Sequence, residues 1–314
     1  MANDIPRVSI GIPVYNGENY LAETLDAILA QTFEDFEIVI ADNASTDGTE
    51  AICVAYAARD SRIHYRRHVQ NFGAAPNYND VYHRSRGAYF KWSAHDDLID
   101  QTFLEKCVSA LDANPDHVVA CTLFDSIDGH GAHIGQGEAR PALGSSDVAA
   151  RVGAAIYPYR HGGVSDAAVF GLMRRSALDR TRLHGSYTGS DRTILLELAL
   201  LGPFFEVPER LFLNRDHPSR SIRIRTKASD QGHAREIWYD TNRAGQVVFP
   251  NWRRLTEFSE AIVRARIKPT EKLRCFTVVF GWVARGNWKR LVNDLRIGLS
   301  TAIRRMRRTT TEAS

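Results

Sequence analysis

The sequence is poor in cysteine and has no long hydrophobic run, and each absence excludes a class of protein. Only four cysteines occur in 314 residues, Cys53, Cys107, Cys121 and Cys275, far apart and with no C-x-x-C pair. That spacing argues against a zinc ribbon and against a disulfide-stapled secreted domain, and reads as reduced thiols in a cytoplasmic protein. Met1 to Arg7 has no apolar stretch after a basic start, so no secretory signal is expected there. In the C-terminal region Leu273 to Ala284 is apolar for only about twelve residues between Lys272 and Arg285, where a bilayer needs roughly twenty. Phosphate-binding glycines are missing too. The first apolar run ends in Ile12-Pro13-Val14-Tyr15-Asn16-Gly17-Glu18-Asn19, and neither G-x-G-x-x-G nor G-x-x-x-x-G-K-[ST] occurs. Dinucleotide-dependent hydride transfer and P-loop hydrolysis lose their usual signatures.

What remains is an ordinary soluble composition, 44% hydrophobic and 25% charged, in a chain long enough for one large domain or a domain with an appendage. The net charge of +3 hides an asymmetry. Residues 1–250 hold 25 Lys+Arg against 32 Asp+Glu, whereas 251–314 hold 15 against 5, so a net of -7 is followed by a net of +10. A basic tail on an acidic body suggests an anionic surface as its partner, membrane or nucleic acid.

Strands and helices alternate over the first 120 residues. Val8 to Val14 and Phe36 to Ala41 are continuous apolar runs, as expected for strands buried on both faces. Leu21, Leu25, Ile28 and Leu29 share one helical face, and Asp47 with Glu50 starts a helix through Ala57. Ile63 to Arg66, Ala88 to Trp92 and His117 to Cys121 read as further strands, and Phe103, Leu104, Cys107, Val108 and Leu111 as a helix stopped by Asn114-Pro115. The alternation predicts a mostly parallel α/β sheet flanked by helices, with ligands beyond the carboxyl ends of its strands.

Five segments then fall in a telling order: Ile12-Pro13-Val14-Tyr15-Asn16, Gln31-Thr32-Phe33, Asp42-Asn43-Ala44-Ser45-Thr46-Asp47-Gly48-Thr49, Asn71-Phe72-Gly73 and His95-Asp96-Asp97. Together they resemble a family 2 glycosyltransferase of the GT-A fold, over roughly residues 5–130. The resemblance implies a nucleotide-diphosphate-sugar donor, a divalent metal (Mn²⁺ or Mg²⁺) and inversion at the anomeric carbon. It implies that Asp42 reads the base, that Pro13, Tyr15, Asn16 and Glu18 wrap the nucleoside, and that Asn71 and Gly73 form a second loop near it. Asp42 would also suit a turn or a helix cap, and Asn71 and Gly73 a plain turn.

A departing nucleoside diphosphate needs a cation, and hard divalent cations prefer carboxylate oxygens. The resemblance gives Asp96 and Asp97 that role. The competing reading has Asp97 and Asp100 capping the helix that begins near Gln101. The family's usual Asp-x-Asp-Asp would put a carboxylate at position 94, where this chain has Ala94. Further on, Asp191 in Gly189-Ser190-Asp191-Arg192 precedes Ile194, Leu195, Leu198 and Leu201 at helical spacing, so it lies in a first turn, where its ionised form is favoured. The position resembles that of the family's catalytic base; acids are also common in first turns for capping alone. Phe212 to Ser221 resembles the family's closing R-x-H-x-x-S segment, which places His217 at the metal or diphosphate, with Arg215, Arg220, Arg223 and Arg225 as a phosphate neighbourhood.

The resulting plan is a GT-A catalytic domain over 1–225, with a nucleotide-sugar-binding half (1–130) and an acceptor-binding half (131–225), then a helical basic extension over 226–314. In that extension Trp288, Leu291, Val292, Leu295, Leu299, Ala302, Ile303 and Met306 form one apolar stripe. The stripe suits either an anionic membrane interface or packing on the body. The expected protein is therefore cytoplasmic, or peripheral at the inner face of a membrane. It transfers a sugar from a UDP- or dTDP-sugar to a saccharide, lipid-linked or small-molecule acceptor and, lacking aromatics interleaved with the tail charge, does not bind nucleic acid. The competing classes are a nucleotidyltransferase, whose glycine-rich basic first loop is absent, and an inactive sugar-nucleotide-binding protein, for which Ala94 speaks.

Overall fold

Seven consecutive buried residues in each of β1 (Val8–Val14) and β2 (Phe36–Asp42) are what neighbouring strands need when both faces of their sheet are covered. A computed structural model describes residues 5–139, 141–157, 167–220, 237–243, 246 and 248–298. Arg223, Arg225, the boundary at residue 225, Ser221 and the tail beyond residue 298 lie outside the described residues.

In chain order, β1 is followed by α1 (Leu21–Leu29), β2, α2 (Thr49–Arg59), β3 (Ile63–Arg67), α3 (Ala74–Arg84), β4 (Tyr89–Trp92), β5 (Leu98–Ile99) and α4 (Phe103–Ala113). Then come β6 (Val119–Ile127), β7 (His133–Gln136), α5 (Val148–Ile156), β8 (Leu172–Arg174), the short α6 (Arg175–Leu178), α7 (Ser190–Leu201) and β9 (Phe204–Arg215). Two C-terminal helices follow, α8 (Pro250–Arg264) and α9 (Pro269–Trp282), and residues 288–298 are helical again.

The nine strands form one sheet in the order β3-β2-β1-β4-β8-β6-β9-β5, with β7 on β6. The pairings of β1 with β2 and β4, of β2 with β3 and of β6 with β9 are parallel, and β8 lies antiparallel between β4 and β6. Six strands, β1 to β4, β6 and β9, therefore run in one direction, and their carboxyl ends share one sheet edge. Helix α7 enters β9 through Gly202-Pro203, so its N-terminus lies at the end where β9 finishes, on that same edge.

Alternation along β2 divides the core. Ile38 and Ile40 join Leu21, Leu25, Phe103 and Leu104 on one face, while Val39 and Ala41 face the cluster built from α3, α5 and α7. That second cluster also contains Phe258, Ile262, Cys275, Val279 and Trp282, so α8 and α9 share the body's core. Of the two readings of the C-terminal helices, packing holds for these residues. In 288–298, Leu291 and Asp294 are buried, while Trp288, Val292 and Leu295 are exposed, so the expected stripe is buried along one edge only. Among the described residues no helix is long and apolar enough to cross a membrane.

Candidate active site

The loops after β1 and β2 are hooked together by their own polar side chains. Asn16, with φ of 53°, accepts from Thr46 N–H at 2.8 Å and donates its own N–H to Ser45 Oγ at 2.9 Å. Glu18 Oε2 accepts from Gly48 N–H at 2.6 Å, and Asp47 accepts from Glu18 N–H and from Thr49 at the start of α2. These contacts set the shape of the Pro13 to Glu18 loop, leaving Tyr15 exposed and Pro13 buried.

Asp42, at the end of β2, is fully buried. Its Oδ1 accepts from Ser45 N–H at 2.8 Å and its Oδ2 from Tyr65 O–H at 3.0 Å, with Arg67 Nε at 3.6 Å. The turn-forming role foreseen as the alternative is thus present, yet each carboxylate oxygen has two lone pairs and keeps one. Asn43 binds the next loop: its Nδ2 donates to Asn71 Oδ1 at 2.9 Å and to Gly73 O at 3.0 Å, and its Oδ1 accepts from Phe72 N–H. Gly73 has φ of 93°, and a Cβ there would meet Asp240 Cα at 2.6 Å, so residues 239–241 lie directly on this loop. No local pattern announced that contact.

The Asp96-Asp97 loop joins β4 to β5 and is clamped from two sides. Thr24 Oγ1 on α1 donates to His95 O at 2.8 Å and Asp97 O at 3.0 Å, and Arg215 Nε donates to Asp96 O at 2.9 Å. Gln31, of the Gln-Thr-Phe segment, donates to Asp100 O and accepts from Leu104 N–H, holding the start of α4 against α1. Asp100 accepts from Thr102 N–H and O–H in the turn ahead of α4, whose N-cap residue is Thr102 and makes no side-chain capping bond, so neither Asp97 nor Asp100 has the capping role of the competing reading. Asp97 takes a different part. It is buried, and its Oδ1 accepts from Asn214 Nδ2 at 3.0 Å and Arg215 N–H at 2.8 Å.

Asp96 turns the other way. Its Oδ2 lies 2.8 Å from His217 Nε2, with side-chain exposures of 16% and 6%. Burial pushes the Asp96 carboxyl upward, but the His217 hydrogen bond and the charges of His95, His217 and Arg220 outweigh it and hold it below the usual carboxylate range. Burial and then the neighbouring Asp96 carboxylate push Asp97 up to about 7. The structure thus brings Asp96 and His217 together and ties the Asp97 oxygen to β9. Among the described residues no three His, Cys, Asp or Glu side chains form a metal-binding cluster. One carboxylate oxygen and one imidazole nitrogen nonetheless suit Mn²⁺ or Mg²⁺ when phosphate oxygens supply the remaining ligands.

Arg215 corrects an expectation. It is buried, stacks 4.6 Å from the Tyr20 ring centroid and pairs with Glu23 at 2.8 Å, so it holds the loop backbone and is not a free phosphate partner. Arg220 is the cation left near Asp96, anchored by Asn214 Oδ1 at 3.0 Å and Asp216 at 3.6 Å. Ala94, half-buried, provides no carboxylate.

Asp191 lies in the first turn of α7. Burial first, then the charges of Asp96, Tyr239, Asp97 and Asp191, raise the hydroxyl of Tyr78, on α3, above its ordinary range. Two further residues escaped sequence reasoning. Arg254 of α8 is buried against the Trp282 ring at 5.2 Å, and its Nη1 lies so close to Gly189 that a Cβ there would sit 2.7 Å away. Its charge also interacts with Asp191. His184 is packed edge-on to Tyr78 at 4.7 Å and Trp92 at 4.8 Å, with Nδ1 3.5 Å from Ser190 Oγ. Nothing in its local sequence marks it out.

A mostly parallel sheet flanked by helices, whose carboxyl edge carries polar loops, an acid-histidine pair and a helix-start carboxylate, is the architecture of the GT-A class of folds. The chain belongs to glycosyl transferase family 2, whose model matches residues 9–180. An uncharacterized glycosyltransferase of Rickettsia typhi is 38% identical over 118 residues, which are 37% of this chain and 36% of that protein. The chain thus matches little more than a third of that relative's length. Among solved structures, S. aureus TarS 1-349 in complex with UDP-GlcNAc superposes with a TM-score of 0.66 at 14% identity, over 94% of this chain and 81% of that one. The mannosyltransferase PcManGT from Pyrobaculum calidifontis, in complex with GDP-Man and Mn2+, gives a TM-score of 0.56 at 18% identity, over 96% and 76%. At such identities the likeness is one of fold.

Proposed function

We propose that this chain is a metal-dependent, inverting glycosyltransferase that moves a sugar from a nucleotide-diphosphate sugar, UDP- or dTDP-linked, to an acceptor hydroxyl in polysaccharide, glycolipid or other glycoconjugate biosynthesis. The observation that carries the reading is the convergence of Asp42, the Asp96–His217 pair and Asp191 on one sheet edge. The nucleotide-sugar and Mn2+ complexes named for the structural neighbours support it.

In this reading the free lone pairs of Asp42 accept a pyrimidine N3–H, and the loops of Pro13, Tyr15, Asn16, Glu18, Asn71 and Gly73 enclose the nucleoside. A divalent cation held by Asp96 Oδ2 and His217 Nε2 would supply charge neutralisation to the departing diphosphate. Asp97 keeps those two groups in place through β9, and Arg220 adds positive charge beside them. The Asp191 carboxylate accepts the proton of the acceptor hydroxyl as that oxygen attacks the anomeric carbon from the side opposite the diphosphate, inverting the configuration. The location we assign is the cytoplasm, either free or peripheral at the inner face of the membrane through the C-terminal helix.

A screen of nucleotide sugars read by released nucleoside diphosphate, with and without EDTA, tests this. Release from a UDP- or dTDP-sugar that stops in EDTA and returns with Mn²⁺ is expected. Undiminished turnover in EDTA would remove the metal, and no release from any donor with any acceptor would remove the transferase reading.

A further inference from the structure

Helix α9 presents two opposed apolar faces where a helix docked on a protein body needs one. Cys275, Val279 and Trp282, spaced i, i+4 and i+7, are buried in the core. On the other side Leu273 and Phe280, two turns apart, are 69% and 73% exposed. Val263, at the end of α8, is 61% exposed, and Lys272 Nζ donates to its carbonyl at 2.6 Å. Single exposed apolar residues need no explanation, but three large ones on two consecutive helices do.

The charge around the α8–α9 corner is predominantly positive, with Glu271 as the acid in the first turn of α9. Arg266 and Lys268 are exposed in the turn between α8 and α9, and Lys272 follows one turn later, while Arg285, beyond the helix end, lies over the Tyr157 ring at 4.4 Å. None of these four cations has an ion-pair partner among the described residues. Over residues 251–298 there are 11 Lys+Arg against 4 Asp+Glu, and each of the acids already has a partner. Glu257 and Glu260 pair with Arg182, Glu271 accepts from Lys268 N–H, and Asp294 accepts from Asn251. A cation-rimmed patch of Leu, Val and Phe is complementary to a surface with negative headgroups above an apolar layer.

We propose that the outer face of α9 is the membrane-docking surface of this protein: Leu273, Phe280 and Val263 enter the interface of an anionic bilayer, and Arg266, Lys268 and Lys272 contact its headgroups. The inference refines the membrane partner given above and does not depend on the transferase reading. It assigns docking to α9 in preference to the basic tail beyond residue 298. Because no described helix is long and apolar enough to span, the association is peripheral and salt-sensitive.

Flotation of the full-length chain with phosphatidylserine-rich and pure phosphatidylcholine vesicles tests the proposal. Binding to the anionic vesicles only, decreasing with added salt, is expected. Leu273→Ser/Phe280→Ser should weaken it about tenfold or more, since two inserted apolar side chains are lost, with an unchanged melting temperature because both sites are exposed. Arg266→Glu/Lys268→Glu should do the same. Wild-type binding by these variants overturns the proposal. Binding lost only in Arg304→Glu/Arg305→Glu/Arg307→Glu/Arg308→Glu also overturns it while leaving a membrane partner in place, and no binding by the wild type removes both. A dimer that Leu273→Ser/Phe280→Ser converts to monomer, with vesicle binding intact, would assign the face to a second copy of the chain.

Discussion

In the proposed mechanism each side chain on the sheet edge has its own chemical task, which makes them separable by substitution. Asp191→Asn keeps shape and removes the proton acceptor. General-base assistance is worth about 10²–10⁴-fold, so kcat should fall on that scale while donor Kd, read by titration calorimetry, stays within about twofold. Loss of donor binding as well would move Asp191 into the nucleotide site. Glu197 is a poor substitute base, since its oxygens accept from Arg182 N–H at 2.9 Å and Arg264 at 2.5 Å. His184 allows a pH test. Burial pushes its pKa down to about 3 from an ordinary value near 6.5. Between those values the unfolded chain binds a proton that the folded chain refuses, so this contribution is fully present above pH 6.5 and is lost as pH falls toward 3. Urea melts at pH 7, 6 and 5 should show stability decreasing with a slope approaching ~1.4 kcal/mol per pH unit from this group. His184→Phe should flatten that part of the profile, and an unchanged profile would mean His184 is not the group responsible.

At the scale of elements, the start of α7 is a contact between glycine and arginine. Gly189 has φ of 86° and lies under Arg254 Nη1, so any side chain meets both backbone strain and a guanidinium whose charge reaches Asp191. Gly189→Ala should cost about 1–2 kcal/mol in the left-handed backbone alone and lower kcat by displacing Arg254 or the first turn, as read by urea denaturation beside steady-state kinetics. Normal stability with normal kcat would show that α7 can shift freely. The Asp96-Asp97 loop follows similar logic, being held by α1 through Thr24 and by β9 through Arg215, so its two carboxylates point apart by construction.

Over the whole molecule, the C-terminal helices belong with the catalytic body. Arg182 in the loop before α7 pairs with Glu257 at 2.8 Å and Glu260 at 2.6 Å on α8, and Tyr157 O–H donates to Val278 O at 2.8 Å. Phe258 is fully buried where α8 meets the main core. Phe258→Ala should cost about 3–5 kcal/mol in one cooperative transition that also carries the activity. A separate early transition, leaving turnover intact, would show the helices to be an independent appendage.

The sequence by itself determined the parallel strands of the first 120 residues, because a strand buried on both faces must be continuously apolar, and such runs are local. It also marked Asp42, Asp96, Asp191 and His217 as candidates, through the resemblance of the segments around them to the family's motifs. Tertiary structure alone decided which of these groups meet. His217 reaches Asp96 across 121 residues, Asp240 covers Gly73 and Arg254 covers Gly189. Arg215, which by composition is one more cation near a phosphate site, is spent on Tyr20, Glu23 and the Asp96 carbonyl. These contacts depend on where the chain returns after hundreds of local choices, and neither periodicity nor motif spacing encodes the side of the sheet edge to which it comes back.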